Sequence, residues 1–244
     1  PMAFLYLREI ANFIVLYQVY STSDFDVFVL STDNGLWPAG YNQYGELGTG
    51  NTTALKAFTQ VLSGVQSITT SGSNIFALKT DSSLWATGQN AEGEMGTGNT
   101  TEVTAWKQVL TGVQNVILNS YDSYVIKTDN SLWATGLNKY GEQGNGTATQ
   151  VNTWSQVLTG VQNLAVSSGL SSTGYTEYNS FAIKTDGSLW ETGGNVYSSL
   201  GDGTSSQVNT WKNTASGTGS SSSSGSSSTS STSASSTSST SSTS

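Results

Sequence analysis

Three glutamates, Glu46, Glu94 and Glu142, recur at one position of a repeated pattern, and together with a tryptophan series they are the side chains best placed to do chemistry. Paired carboxylates can drive glycoside hydrolysis, and a ring of them can hold calcium through about six to eight oxygens. One isolated glutamate per repeat meets neither demand, so these residues are expected to accept backbone N–H groups in their own loops. Asn42, Asn90 and Asn138 are expected to do the same kind of turn work. Trp37, Trp85, Trp133 and Trp190 could stack on sugar rings, as could a second series, Trp106, Trp154 and Trp211, whose first-copy counterpart is Phe58. Their apolar strand context points instead to packing between sheets, where each ring buries a large area. Gly45, Gly48, Gly93, Gly96, Gly141 and Gly144 lack the Lys-Ser/Thr ending of a phosphate loop and read as turns. No catalytic residue, no cofactor and no metal ligand set is predicted, and the chain is not expected to be an enzyme.

Composition narrows the chemistry further. The 244 residues include no cysteine and no histidine, which removes disulfides, thiolate metal sites, cysteine nucleophiles and histidine-dependent triads. The formal net charge is −8 and the eight basic residues are scattered singly. Nucleic acid is therefore not an expected partner, because phosphate neutralisation needs a clustered basic face.

The elements that carry these residues repeat. DSSLWATGQNAEGEMGTGNTTEVTAWKQVL, from Asp81 to Leu110, returns from Asp129 to Leu158, and more loosely from Asp33 and Asp186. Each copy reads as four short strands, in the second copy Ser67 to Thr70, Ile75 to Lys79, Leu84 to Thr87 and Trp106 to Leu110. The segments 33–35, 129–131 and 186–188 supply the Asp, Asn and Gly that two-residue hairpins favour. Short strands at a period near 48 residues predict an all-β propeller of four blades with four antiparallel strands each, spanning 10–62, 65–110, 113–158 and 161–212. An insertion between Gly169 and Asn179 is expected to be a surface loop.

Both ends differ from the repeat. Residues 1–9 form an apolar leader or extra strand ahead of an expected strand from Phe13 to Val19, and Arg8, Glu9 and Asn12 interrupt it too often for a membrane span. Residues 213–244 are a Ser/Thr-rich tail with nothing to bury, so disorder is expected. Such composition also suits O-glycosylation, for example at Ser220, Ser226, Thr229 and Thr232. Asn51, Asn99 and Asn145 satisfy the N-glycosylation pattern in loops.

The run hydrophobic-Lys-Thr-Asp-x-Ser-Leu-Trp-x-Thr-Gly-x-Asn, followed by Gly-Glu-x-Gly-x-Gly, resembles the RCC1-type repeat (regulator of chromosome condensation) over residues 20–212. The resemblance implies a β-propeller, which in that family usually has seven blades. This chain departs from the pattern: it has material for four blades, the Gly-x-x-His-Ser element is reduced to Gly72-Ser73-Asn74, and the Pro before the last strand is missing. The guanine-nucleotide exchange and chromatin binding of nuclear members would need an exchange loop and a basic tail, and neither can be matched here.

Four blades of the seven-blade type leave two apolar ends, which a tighter four-bladed ring, coverage by another copy or a longer chain of which this is a fragment would each resolve. Coverage by another molecule is the expectation, because the apolar leader has no place in the repeat and could serve as a plug or added strand. The expected function is therefore a structural or interaction module, extracellular or at the cell surface, whose ends are covered by protein partners or by further copies of itself, giving a homo-oligomer or filament. A carbohydrate-binding or glycan-processing propeller, with glycans as partners, is the competing expectation, and a GTPase-binding scaffold the third.

Overall fold

The computed structural model describes residues 16–22, 25–170 and 176–214. The leader at 1–9, the three residues Phe13 to Val15, and the tail positions Ser220, Ser226, Thr229 and Thr232 lie outside the described residues. Among those described there is no α-helix, and no helix long and apolar enough to cross a membrane.

Four antiparallel sheets follow one another in chain order. The first blade holds β1 (Leu16–Ser21), β2 (Val27–Ser31) and β3 (Leu36–Ala39). The second holds β4 (Val65–Ser71), β5 (Asn74–Lys79), β6 (Leu84–Gly88) and β7 (Val103–Leu110). The third holds β8 (Val113–Leu118), β9 (Asp122–Lys127), β10 (Leu132–Gly136) and β11 (Val151–Leu158). The fourth holds β12 (Val161–Leu170), β13 (Thr176–Lys184), β14 (Leu189–Gly193) and β15 (Val208–Asn213). Within each blade the strands pair in sequence order, and β8 touches both β4 and β12. First strands therefore line the inner edge and fourth strands the rim.

Three details differ from the sequence expectation. The first blade has three full strands; its fourth is reduced to bridges at Leu36↔Leu62 and Gly40↔Leu55. Pro38 explains this, because it occupies the place of Ala86, which pairs with Lys107 in the second blade, and proline has no N–H to give to the ladder. The hairpins between second and third strands carry three-residue loops, not two. Ser82 N donates to Lys79 O and Lys79 N to Ser83 O, while Asn34, Ser82, Asn130 and Gly187 take left-handed φ of 62 to 82°. This is a type I turn closed by a left-handed residue. Finally, the insertion is largely strand. Gly169 pairs with Glu177 and Ser167 with Asn179, so β12 and β13 extend past their counterparts, and only 171–175 fall outside the described residues.

The apolar core is split into three seams, each lying between two blades. Phe28, Leu30, Leu36 and Leu47 of the first blade meet Val65, Ile68, Ile75 and Ala77 of the second. Phe76, Leu78, Leu84 and Met95 meet Val113, Val116 and Val125. Tyr124, Ile126 and Leu132 meet Val161, Leu164 and Ala182. Strand alternation produces this pattern: both faces of each sheet are apolar, one facing the preceding blade and one the following blade. Each fully covered Leu or Ile contributes about 1.5–3 kcal/mol.

Candidate functional site

Each blade carries a Gly-rich loop whose hub is a buried asparagine, and the loops of the first three blades close over the next blade. Asn90 Oδ1 accepts from Met95 N, while Asn90 Nδ2 donates to Thr97 Oγ1, Asn99 O and Thr101 O. Asn42, Asn138 and Asn195 hold their loops in the same way, and all four asparagines are excluded from solvent. The preformed loop then receives the following blade. Thr87, Thr135 and Thr192 each donate a hydroxyl hydrogen bond to the carbonyl of Gly45, Gly93 or Gly141 in the preceding blade. Gly50, Gly98 and Gly146 donate their N–H groups to the incoming fourth strand at Thr104, Asn152 and Asn209.

The rim tryptophans seat in these loops. A Cβ added at Gly48, Gly96 or Gly144 would lie 2.3–2.5 Å from the ring of Trp106, Trp154 or Trp211, so only glycine leaves the ring its place. Trp154 and Trp211 donate Nε1–H to Met95 O and Gln143 O across the seam, whereas Trp106 Nε1 has no partner. Trp85, Trp133 and Trp190 pack on the seams from the third strands, each partly exposed. Their Nε1–H groups donate to Ser83, Ser131 and Ser188, whose hydroxyls donate in turn to Asp81, Asp129 and Asp186. These serine hydroxyls and nearby backbone N–H groups hold the three aspartates below the usual carboxylate range. Lys79, Lys127 and Lys184 lie over the faces of the same rings at 4.2–5.1 Å. In the first blade Ser31 takes the lysine's place and Gly35 the serine's. Trp37 therefore donates to Ser31 from the other side of the turn.

Glu46, Glu94 and Glu142 are buried, and each accepts the N–H of the residue two before it, Tyr44, Glu92 and Tyr140. Each also faces a residue at the start of the second strand that the sequence reading did not single out. Asn74 Nδ2 donates to Glu94 Oε1, but the equivalent partners of Glu46 and Glu142 are acids, Asp26 and Asp122. A hydrogen bond between two carboxyls requires one shared proton. Burial, reinforced by the hydrogen bond and charge of Glu46, pushes Asp26 up to about 7. Burial and the charge of Asp122 push Glu142 up to about 9. The signal was present in the sequence, since Asp26, Asn74 and Asp122 share the 48-residue spacing of the glutamates. In the fourth blade Ser199 replaces the glutamate, and Glu177 from the extended hairpin takes over the loop, accepting Val196 N and Ser199 Oγ.

These pairs do not make a hydrolase centre. Glycosidase carboxyls stand about 5–9.5 Å apart around a substrate, whereas Asp26–Glu46 and Asp122–Glu142 are interacting pairs excluded from solvent inside the protein. Among the described residues no group of three or more acids could hold a metal ion.

No family model matches the sequence, and no curated protein does. Solved structures do. Prp20p from Saccharomyces cerevisiae matches over 82% of this chain and 50% of its own, at 17% identity and a TM-score of 0.63. Yeast RCC1 (Prp20) bound to Kap60 gives 82%, 49%, 18% and 0.59, and human WBSCR16 gives 82%, 52%, 17% and 0.58. The fold is an RCC1-like β-propeller.

The chain spans about half the length of these RCC1-like structures, and its last blade shows what that leaves open. Leu78 and Ile126 are 7% and 2% exposed and Leu84 and Leu132 are fully buried, whereas their fourth-blade counterparts Ile183 and Leu189 are 43% and 39% exposed. Val196 and Tyr197 of the last loop are exposed as well. Gly201, the counterpart of Gly48, Gly96 and Gly144, has nothing within 4 Å of a would-be Cβ. Elsewhere on the RCC1-like scaffold, a shallow groove of the second blade is lined by Asn99, Glu102 and Trp106. Asn51, Asn99 and Asn145 are exposed in their loops, each accepting an N–H from the residue two ahead.

Proposed function

We propose that this chain is a noncatalytic interaction module of the extracellular space or cell surface, an RCC1-like propeller whose blade ends bind protein, including further copies of itself. The observation that carries this reading is the uncovered apolar row on the fourth blade, since soluble proteins rarely leave such a face without a partner. The yeast neighbours also bind protein: Prp20p binds Gsp1p and histones, and yeast RCC1 binds Kap60. None of these partners is transferred to this chain, because likeness of fold does not carry function. The noncatalytic reading is supported by the use of the tryptophans and carboxylates in seams and loops, which also gives the carbohydrate reading little to stand on.

Head-to-tail contacts that do not close produce filaments, and exposed Asn51, Asn99 and Asn145 with the Ser/Thr tail would keep such an assembly solvated through glycans. Light scattering and negative-stain microscopy of the full chain test this reading. Mass rising with concentration, with oligomers or fibres in the images, is the expected result. A chain that remains a discrete monomer at every concentration removes it.

A further inference from the structure

The outer face of the fourth blade has the repeat's apolar row with one exception. Phe181, Ile183 and Leu189 stand where Phe76, Leu78 and Leu84 stand in the second blade, but Glu191 replaces Ala86 and Ala134. Alternation puts Glu191 on the same face as Leu189 and opposite Phe181 in register. Glu191 is excluded from solvent and neither of its carboxylate oxygens has a partner. Lys212 lies opposite it in the ladder, yet its ammonium is committed to Asp202 at 2.9 Å. A buried, unpaired carboxylate is costly, and what relieves it is a cation.

A further blade of this repeat does not supply one. At the formed seams, Ala86 and Ala134 join clusters whose partners across the seam are Val113, Val116, Val161 and Leu164, with no charge among them. The loop also departs from the pattern. Gly45, Gly93 and Gly141 lie so close to the incoming strand that a Cβ would come within 2.6–2.9 Å of a backbone Cα, and the fourth loop has Ser198 at that position. The face thus suits an apolar segment bearing a single cation, and not another blade seated in the usual way.

One segment of the chain has that composition. Residues 2–8, Met-Ala-Phe-Leu-Tyr-Leu-Arg, precede the first blade and end in the only arginine of the sequence. We propose that the N-terminal segment 2–8 of a second copy docks on the outer face of the fourth blade, its apolar side chains on Phe181, Ile183 and Leu189, and that docking turns the Glu191 side chain out of its shielded position to pair with Arg8. The guanidinium suits this role, being planar, always charged and able to bond both carboxylate oxygens. The proposal rests on the self-association reading and names its contact.

A charge exchange in the full chain tests it. Arg8→Glu and Glu191→Lys are each expected to weaken self-association about tenfold or more in sedimentation velocity, and the double variant Arg8→Glu/Glu191→Lys to recover it. Recovery also shows that the single variants fold. Association that ignores both charge changes but is lost in Leu189→Asp overturns the Arg8–Glu191 contact while leaving self-association standing. Dependence on Phe58 instead of Arg8 assigns the face to the first blade of a second copy and overturns it equally. A wild-type chain that never associates removes both readings.

Discussion

Single positions in this fold are decided by what the neighbouring blade brings to them. Gly96, with φ of +65°, leaves room for the edge of Trp154, whereas Gly201, with φ of +74°, faces open space. Both should lose about 1 kcal/mol on replacement by alanine through the left-handed backbone alone. Gly96→Ala must also displace the ring, and a total of about 3 kcal/mol or more is expected from denaturant melts, against about 1 for Gly201→Ala. Equal losses would mean that the fourth loop is as filled as the second. The carboxyl pairs give a second residue-scale expectation. Asp26 and Glu142 titrate higher in the folded chain than unfolded, so the folded state holds the extra proton. Their stabilisation is complete below the unfolded carboxyl range and is lost as pH rises, through about 7 for Asp26 and about 9 for Glu142. The melting temperature should fall from pH 5 to pH 9. Asp26→Asn with Asp122→Asn, copying the amide already present at Asn74, should flatten that slope and add about 1–3 kcal/mol at pH 8. A wild-type melting temperature independent of pH would contradict the shared protons. The glutamates were visible in the sequence as a series; their partners were not picked out, because an alternation of Asp and Asn does not read as one position until the strands are in register.

At the scale of strands and loops, the repeat period made most of the fold legible. A Trp at a spacing of 48 residues and a turn residue before it are enough to place the third strand of the first three blades, and the same turn and Trp place the fourth after a spacing of 57. What escaped were effects of single substitutions on whole elements. Pro38 removes one ladder donor and reduces a strand to two bridges, and the insertion lengthens a hairpin instead of looping out, because its strand residues carry Glu177 to the loop that lost its own glutamate. The threonine clasp was likewise hidden, since its acceptor lies in another blade. Thr135 Oγ1 bonds Gly93 O at 2.8 Å and Val151 O at 2.8 Å, joining two blades and two strands at one atom. Thr135→Val keeps the shape but removes the hydroxyl that the two carbonyls share, while Gly93 O keeps the N–H of Gly96, so a loss of about 0.5–1.5 kcal/mol is expected by chemical denaturation. A loss below a few tenths would show that water replaces the clasp. Ala39 at the equivalent place in the first blade indicates where the fold does without it.

Across the whole molecule, the main strand contacts between blades, among the described residues, join neighbouring blades, so stability should behave as a sum of blade terms and seam terms. Among the described residues the second and third blades each lie between two seams, and the first and fourth blades each border one. The fourth blade should therefore open on its own, with the free energy of one seam, while the middle blades open only with the rest of the array. Native-state hydrogen exchange on the monomeric chain reads this directly: amides of β14 and β15 should exchange well before those of β5, β6, β9 and β10. Core truncation reads it a second way. Leu132→Ala removes a fully buried side chain from the third seam and should cost about 2–5 kcal/mol. Leu189→Ala removes one that is already 39% exposed and should cost under about 1.5 kcal/mol in the monomer. Both differences should shrink at concentrations where copies associate, because a covered fourth blade then has two seams of its own. If β14 is as protected as β10 in dilute monomer, some part of the same chain already covers that face, and the open end offers nothing to a second copy.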